Sequence, residues 1–400
     1  MVLKHQDLKA DYGAYDAWFN SENRVHDNLV RLKYRSDMVE NMTLKEIADL
    51  AGVSTATVSY VINHSAPVSD KTRSKVEKII KETGYHSNML AKSLRRNESR
   101  LIGILVEDVT VAHTAYIIDG INEIAEKKKY NTILCNLRLL SKIGSRFDDI
   151  SECQADIDNE INVLLSMQVD GIIYIGMHDR RINHIVKNSP IPVVYCYCYS
   201  DNEGSSVRYN NEQTAYQLTQ MVINKGHRKI AVMNGLKTSE PASLRFKGFM
   251  RALEESGISI PDAYVATGNW KFDDARAAAL KMLKIEKNNT ADDRPTAIVA
   301  MNDEMAVGVY YAAEELGLRI PDDLSVTGFD HADVARYIYP SLTTAERPLQ
   351  LMGYRALEML IENISGENIC QNNAIYPCTI INGESIRDLN NNPVKTNMGT

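Results

Sequence analysis

Apolar residues recur at two different spacings along this chain, and the change from one to the other divides it. Over residues 43–83 they fall three and four apart, the interval of helices packed on one side: Ile47, Ala48 and Ala51, then Val58, Val61 and Ile62, then Val76, Ile79 and Ile80. From Leu101 they come instead as short runs, LIGILVED, NTILCNL, DGIIYIG and PVVYCYCY, alternating with amphipathic stretches such as TAYIIDGINEIAEKKKY. The alternation restarts at RKIAVMNG and continues through LRFKGFMRALEESGI, AYVATG, DDARAAALKMLK, TAIVAMND, MAVGVYYAAEELGL and LSVTGFD. This grammar predicts a small all-α domain followed by two similar α/β lobes with mostly parallel sheets. An internal echo supports the doubling, since RALEESGISIPDAYVATG resembles YAAEELGLRIPDDLSVTG.

Capping chemistry sharpens the helical part. Thr43 and Glu46 form a T-x-x-E capping box, which starts the first helix. The chain turns at Gly52-Val53, Ser54 caps a second helix, and Ser69 caps a third over residues 70–83 that ends at Gly84. Thr55, Ala56, Ser59 and Tyr60 are left facing outward on the second helix. Two short helices joined by a tight turn, the second carrying small polar residues on its first turn, have the shape that enters the DNA major groove. An ordinary helical hairpin inside a larger domain is the competing interpretation, and the third capped helix counts against it.

The flanks are simpler. Residues 1–41 show no helical period and are predicted to be a disordered extension, with Met42 as a candidate translation start. Residues 86–100, HSNMLAKSLRRNESR, form a basic linker that gains structure in a complex. Residues 101–389 make the two-lobed body, and 390–400 a disordered tail.

Composition narrows the function. The chain carries a net charge of −7, yet residues 42–100 hold ten Lys/Arg against six Asp/Glu, so the head and linker are +4 and the remainder −11. A basic module on an acidic body confines phosphate attraction to one end. The absence of an apolar signal core and of any run of eighteen apolar residues predicts a cytoplasmic protein with no membrane partner. Six cysteines form no CxxC pair and are read as buried thiols, not metal ligands or disulfides. No GxSxG elbow, P-loop, HExxH or His/Cys cluster is present, so no enzyme, cofactor or metal is expected. His227 in GHRKI is read as a turn residue.

The order of these parts resembles the LacI/GalR family of bacterial transcription regulators. The resemblance runs from Met42 to about Leu389 through VSTATVSYVIN, VSDKTRSKV, the linker AKSL, GHRKIAV, AMNDEMAVG, GLRIPDDLSVTGFD and PSLTT. It implies a helix-turn-helix head on a periplasmic-binding-protein-like (type I) body, acting as a homodimeric repressor on a near-palindromic double-stranded DNA operator. It places Thr55 and Ala56 on bases, and Thr57, Ser59 and Asn63 on bases or phosphates nearby. Tyr60 stands where the family usually has arginine, and a phenol cannot reproduce arginine's bidentate pairing with guanine.

The resemblance also makes 87–95 a hinge helix, with Leu94 as a minor-groove wedge and Lys92 and Arg95 beside phosphates or groove walls. Read without the family, Leu94 would be a plain linker residue. Ser87 replaces the proline common at the start of that helix.

In the cleft between the lobes, where ligands of open α/β sheets bind, the resemblance points to Asp108, His113, Thr114, Tyr197, Arg245, Trp270, Asn302 and Asp330 as contacts for a small-molecule effector. Carboxylate, amide and guanidinium groups read hydroxyls and an indole covers an apolar sugar face, so a carbohydrate is the favoured class. Core packing competes for Trp270, and an ion pair between lobes for Arg245 and Asp330. His113-Thr114 replaces an aromatic pair frequent in the family, and Tyr197 an aspartate. Asp303 is read as the cap of the helix that follows it, and the stretch 138–158, about a dozen residues longer than usual, as extra helix or loop beside the cleft. An inducer that releases DNA, a corepressor or protein partner that favours binding, and a sugar-binding protein with an inert head are the functional alternatives.

Overall fold

The computed structural model describes residues 42–85, 98–144, 150–183, 185–186, 189–201, 204–284, 294–366 and 372–390. The predicted extension 1–41, the hinge residues Ser87, Lys92, Leu94 and Arg95, Cys370 and the tail from 391 lie outside the described residues. The described chain forms two compact units, 42–85 and 98–390, each treated by itself.

The first unit is three helices, α1 (Leu44–Ala51), α2 (Thr55–Asn63) and α3 (Asp70–Thr83). Their core is Ile47, Ala48, Ala51, Val58, Val61 and Val76, the residues that the helical spacing singled out, with Ile62, Ile79 and Ile80 packed partly buried around it. Gly52 sits at φ 63° between α1 and α2. A left-handed residue is what lets the chain turn within one position, and glycine adopts it without a Cβ penalty.

The second unit opens with β1 (Leu101–Val106), α4 (Ala112–Lys128) and β2 (Asn131–Asn136), followed by α5 (Leu139–Ile143), α6 (Gln154–Ser166), β3 (Gly171–Ile175), β4 (Val193–Cys196) and β5 (Ser205–Tyr209). The chain then crosses to the second lobe, where α7 (Asn211–Asn224), β6 (Ile230–Asn234), α8 (Glu240–Glu255), β7 (Val265–Thr267), α9 (Phe272–Leu283), β8 (Ala297–Ala300), α10 (Asp303–Glu315), β9 (Ser325–Thr327) and α11 (Asp333–Tyr337) follow. It returns through β10 (Thr344–Glu346) to α12 (Leu349–Ile364) and β11 (Asn373–Tyr376), and leaves again along β12 (Thr379–Ile381).

Both main sheets are parallel. The first-lobe order is β11-β5-β4-β3-β1-β2 and the second-lobe order β7-β6-β8-β9, while β10 and β12 pair antiparallel where the chain passes between lobes. Helices α4 and α12 meet unusually closely. A Cβ on Gly120 would fall 1.9 Å from the Gln350 carbonyl oxygen, and one on Gly353 1.9 Å from that of Ile117, so the two glycines let each backbone touch the other. In the echo of sequence, Gly257 and Gly317 both take left-handed φ where the two matching helices end.

Three readings need correction or completion. Of the two forms expected for the stretch 138–158, the described residues take mainly the helical one, in α5 and the start of α6, and Leu139, Ile143, Ile150, Cys153 and Ile157 pack into one apolar cluster with Leu105, Ile172, Tyr174 and Tyr195. Asp303 is not a cap, because Asn302 caps α10 through Met305 N, while the Asp303 carboxylate is buried and accepts from Ala332 N and Thr344 Oγ1. His227 is more than a turn residue; it is buried and joins Thr296 Oγ1 to the Arg387 carbonyl oxygen.

Candidate functional site: an exposed helix and an interlobe cleft

In the three-helix unit the caps hold α2 in place. The Glu46 carboxylate accepts from Thr43 N (2.6 Å) and Thr43 Oγ1 (2.8 Å), and these bonds lower its pKa. Ser54 Oγ accepts from Thr57 N at 3.1 Å, and Ser69 Oγ from Thr72 N at 3.3 Å. Thr55, Ala56 and Tyr60 are exposed on α2, Tyr60 at 43%. Thr57, Ser59 and Asn63 are half-buried and already engaged: Thr57 Oγ1 meets Ser54 Oγ, and Asn63 Nδ2 donates to Ser59 O and Oγ. The outward face is therefore small and polar at the helix start, where the unpaired N–H groups and helix dipole favour phosphate, and aromatic one turn later.

In the α/β unit the parallel strands of both lobes deliver their carboxyl ends to the cleft. Five non-glycine residues there lie at positive φ: Tyr197 (60°) after β4, Asn269 (51°) and Trp270 (68°) after β7, Asp330 (116°) and His331 (52°) after β9. Such conformations cost of order 1–3 kcal/mol each and persist where the surroundings fix them, most often at binding sites.

Arg245, on α8 and 3% exposed, is the centre of the cluster. Its Nε donates to Asn211 Oδ1 (2.8 Å), Nη1 to the Met301 carbonyl oxygen, and Nη2 to Tyr209 Oη (3.0 Å) and Asp330 Oδ1 (3.4 Å). The guanidinium lies 3.6 Å from the Phe329 ring centroid and 5.3 Å from that of Trp270, within cation–π reach. Arg347 lies 3.4 Å from Asp330 Oδ1 and donates to Tyr197 Oη. Tyr197 stacks on His113 (4.0 Å) and on Tyr209 (5.3 Å). Burial, with the nearby Arg347 charge, holds His113 well below the ordinary histidine range, so its neutral ring donates from Nε2 to the Gly176 carbonyl oxygen. Trp270 Nε1 and His331 Nδ1 are buried with no hydrogen-bond partner among the described residues. Beside this cluster opens a cavity of about 460 Å3, bounded by His113, Tyr116, Asp330, Arg336, Glu346 and Arg347.

The structure thus brings together His113, Tyr197, Arg245, Trp270 and Asp330. Arg245 and Asp330 pair with each other on the second lobe; Arg245 is linked to the first lobe through Tyr209 and Asp330 through Arg347 and Tyr197. Asn302 stands at the margin, its amide donating to the Trp270 carbonyl oxygen at 3.2 Å while its oxygen caps α10. Asp108 and Thr114 are engaged elsewhere: the Asp108 carboxylate accepts from Thr110 N, Thr110 Oγ1 and Leu140 N, and Thr114 Oγ1 donates to the Asp108 carbonyl oxygen. Tyr209, Phe329 and Arg347 were missed. Phe329 lies inside the GFD motif, but nothing local marks Arg347 in AERPLQ or Tyr209 in SSVRY as cleft residues.

A second group fastens the lobes. Asp179 accepts from Arg208 Nε (2.6 Å) and Asn211 Nδ2 (2.7 Å), and Glu240 on the second lobe accepts from Arg208 Nη2, Tyr199 Oη and Arg181 N of the first. Among the described residues no cluster of His, Cys, Asp or Glu could hold a metal, and five cysteines are buried free thiols.

Residues 43–88 match the model of bacterial regulatory proteins, lacI family, and residues 219–386 that of a periplasmic binding protein-like domain. A transcriptional repressor of Vibrio vulnificus, PurR, is 35% identical over 325 residues, covering 80% of this chain and 92% of the repressor. The chain belongs to the lacI family. It is accordingly a DNA-binding transcription regulator and not an enzyme. Catabolite control protein A of Priestia megaterium is 33% identical to it, with 82% of this chain and 94% of that protein covered. Among solved structures, the Lac repressor dimer bound to operator and the anti-inducer ONPF aligns with a TM-score of 0.70 at 25% identity, over 87% of this chain and 100% of that one. No helix among the described residues of this lacI-family chain is long and apolar enough to cross a membrane.

Proposed function

We propose that this regulator is a cytoplasmic homodimeric repressor whose affinity for a near-palindromic operator is set by a small molecule in the interlobe cleft, a sugar or sugar derivative. The observation that carries the reading is the meeting of Arg245, Asp330 and the unpartnered Trp270 indole at the strand ends, next to a cavity of about 460 Å3. That size lies within the range of small-molecule sites, roughly 300–1,000 Å3. A carboxylate and guanidinium groups can exchange bonds with hydroxyls, and an indole offers both an apolar face and one N–H donor. A ligand acts on DNA affinity only through unequal affinity for two conformations. Release of operator on binding makes it an inducer, and tightening makes it a corepressor.

The test is Asp330→Ala. Operator affinity in a gel-shift titration is expected to stay at the parent value, while the response to effector in a reporter strain disappears. A variant that still responds removes Asp330 from the site.

Two expectations concern the DNA side. Leu94→Ala, by removing the proposed wedge, should weaken operator binding at least tenfold, about 1.4 kcal/mol; unchanged affinity would end that role. Tyr60→Arg should shift sequences selected from random DNA towards a guanine at the outer position of each half-site, since only the guanidinium can pair bidentately there. Identical selected sequences for both proteins would remove Tyr60 from base reading.

A further inference from the structure

Behind the open cavity, a single side chain packs the inner part of the cleft. Tyr197 is 3% exposed, is held at φ 60° immediately after β4, and projects between His113 and Tyr209 with stacked rings on both sides. Its hydroxyl takes the Arg347 donor and meets Tyr209 Oη at 3.2 Å. Tyr209 Oη in turn accepts from Arg245, which also donates to Asn211, Met301 and Asp330. Arg245 and Asp330, two of the polar groups expected to read a ligand, are thus engaged with each other, with Tyr209 and with Arg347, while the Trp270 indole N–H has no partner among the described residues. The open cavity stops at His113, Asp330 and Arg347, and Tyr197, which does not line it, lies behind them.

We infer that Tyr197 is a resident occupant of the effector cleft, which holds the lobes closed and which an effector has to displace. The chemistry matches what it replaces. A phenol presents an oxygen to Arg347 and a flat apolar face to His113, the two features a ring-shaped polyol would offer. One of the two groups of links that span the lobes gathers around it: Tyr197 and Tyr209 from the first lobe, Phe329 and Arg245 from the second, and Arg347 on the crossing segment, donating to Tyr197 and ion-paired with Asp330. An effector entering from the cavity first meets Arg347 and Asp330, and it gains Arg347 only by supplying an oxygen acceptor that the phenol gives up. A population shift of this kind requires the incoming ligand to outbid an internal one, so an oxygen-poor, purely apolar molecule of the same size is rejected.

The inference rests on the reading of this cleft as the effector site, but its test uses no effector. The chain has two tryptophans, Trp18 and Trp270. With Trp18→Phe in the full-length protein, Trp270 becomes the sole tryptophan, and its indole is covered by Arg245, which the Tyr209 and Asp330 bonds hold in place. Acrylamide quenching of ligand-free protein is expected to be weak in this parent. It should rise roughly twofold or more on adding Tyr197→Ala, as the closed population falls. Tyr197→Phe, which keeps the ring and loses only the hydroxyl bonds, should give a smaller rise and covers the case in which the alanine variant loses its fold, monitored by circular dichroism. Equal quenching of parent and folded variants overturns the inference, as does a parent already quenched as strongly as urea-unfolded chain. If quenching rises as expected while no ligand alters operator binding, the effector reading fails and the closing role of Tyr197 stands.

Discussion

Glu107→Ala is expected to destabilise the α/β unit by about 3–5 kcal/mol, the range observed when one partner of a buried ion pair is removed. Glu107 follows β1 and is fully buried. Its Oε1 accepts from Tyr174 Oη and Arg180 Nη2, and its Oε2 from Met177 N and Arg180 Nη1, all between 2.7 and 2.9 Å. Alanine would leave the Arg180 guanidinium, 7% exposed, with its charge uncompensated, and would strand a tyrosine hydroxyl and a backbone amide. The pair also fixes the segment after β3 that carries Asp179 to its bonds with Arg208 and Asn211, so local loss reaches the contacts between lobes. Urea unfolding checks this through the midpoint at constant slope. A change below about 1 kcal/mol would show that the segment is held by other means.

The second large effect is a pH dependence centred on Asp303. Burial, with the charge of Asp330 added, raises its pKa from 3.8 to about 7. The folded chain therefore binds a proton at Asp303 that the unfolded chain has released between about pH 4 and pH 7. The stabilisation from that difference is fully present below about pH 4 and is lost as pH rises through about 7. Asp303→Asn keeps the bonds available, with Oδ1 accepting from Ala332 N and Nδ2 donating to Thr344 Oγ1, but removes the titration. The variant should gain on the parent between pH 5 and pH 8, by at most about 3 kcal/mol for the roughly two pKa units crossed between pH 5 and pH 7. Denaturant midpoints at the two pH values measure this. Parallel pH profiles for parent and variant would contradict it.

What could be read from the sequence was chemistry confined to a few neighbouring residues. Thr43 with Glu46, Ser54, Ser69 and Gly84 each state a helix boundary within four positions, and the structure places every one of them at that boundary. Apolar runs gave β1, β3, β4, β6 and β8 because buried parallel strands are covered on both faces. By contrast β5, SSVRY, reads as polar, since the charge of Arg208 is absorbed by Asp179 and Glu240, 29 and 32 residues away. Its neighbour β11 pairs with it from the far end of the chain, a match no local pattern announces. Asp303, the residue expected to cap α10, lies one position inside it, and Asn302 holds the cap by accepting from Met305 N. In the cleft, Arg245, Trp270 and Asp330 were legible through motifs, whereas Arg347 and Tyr209 become cleft residues only when the crossing segments bring them there.

The central claim is that the exposed helix and the cleft are two ends of one switch, and an operator titration tests it most directly. A palindromic duplex selected from random DNA is titrated with the full chain by fluorescence anisotropy, with and without the sugar that most raises the melting temperature of the protein. The account predicts tight, salt-sensitive binding whose dissociation constant moves by about tenfold or more when the sugar is present. Binding that is tight but unchanged by any sugar that stabilises the protein would contradict it.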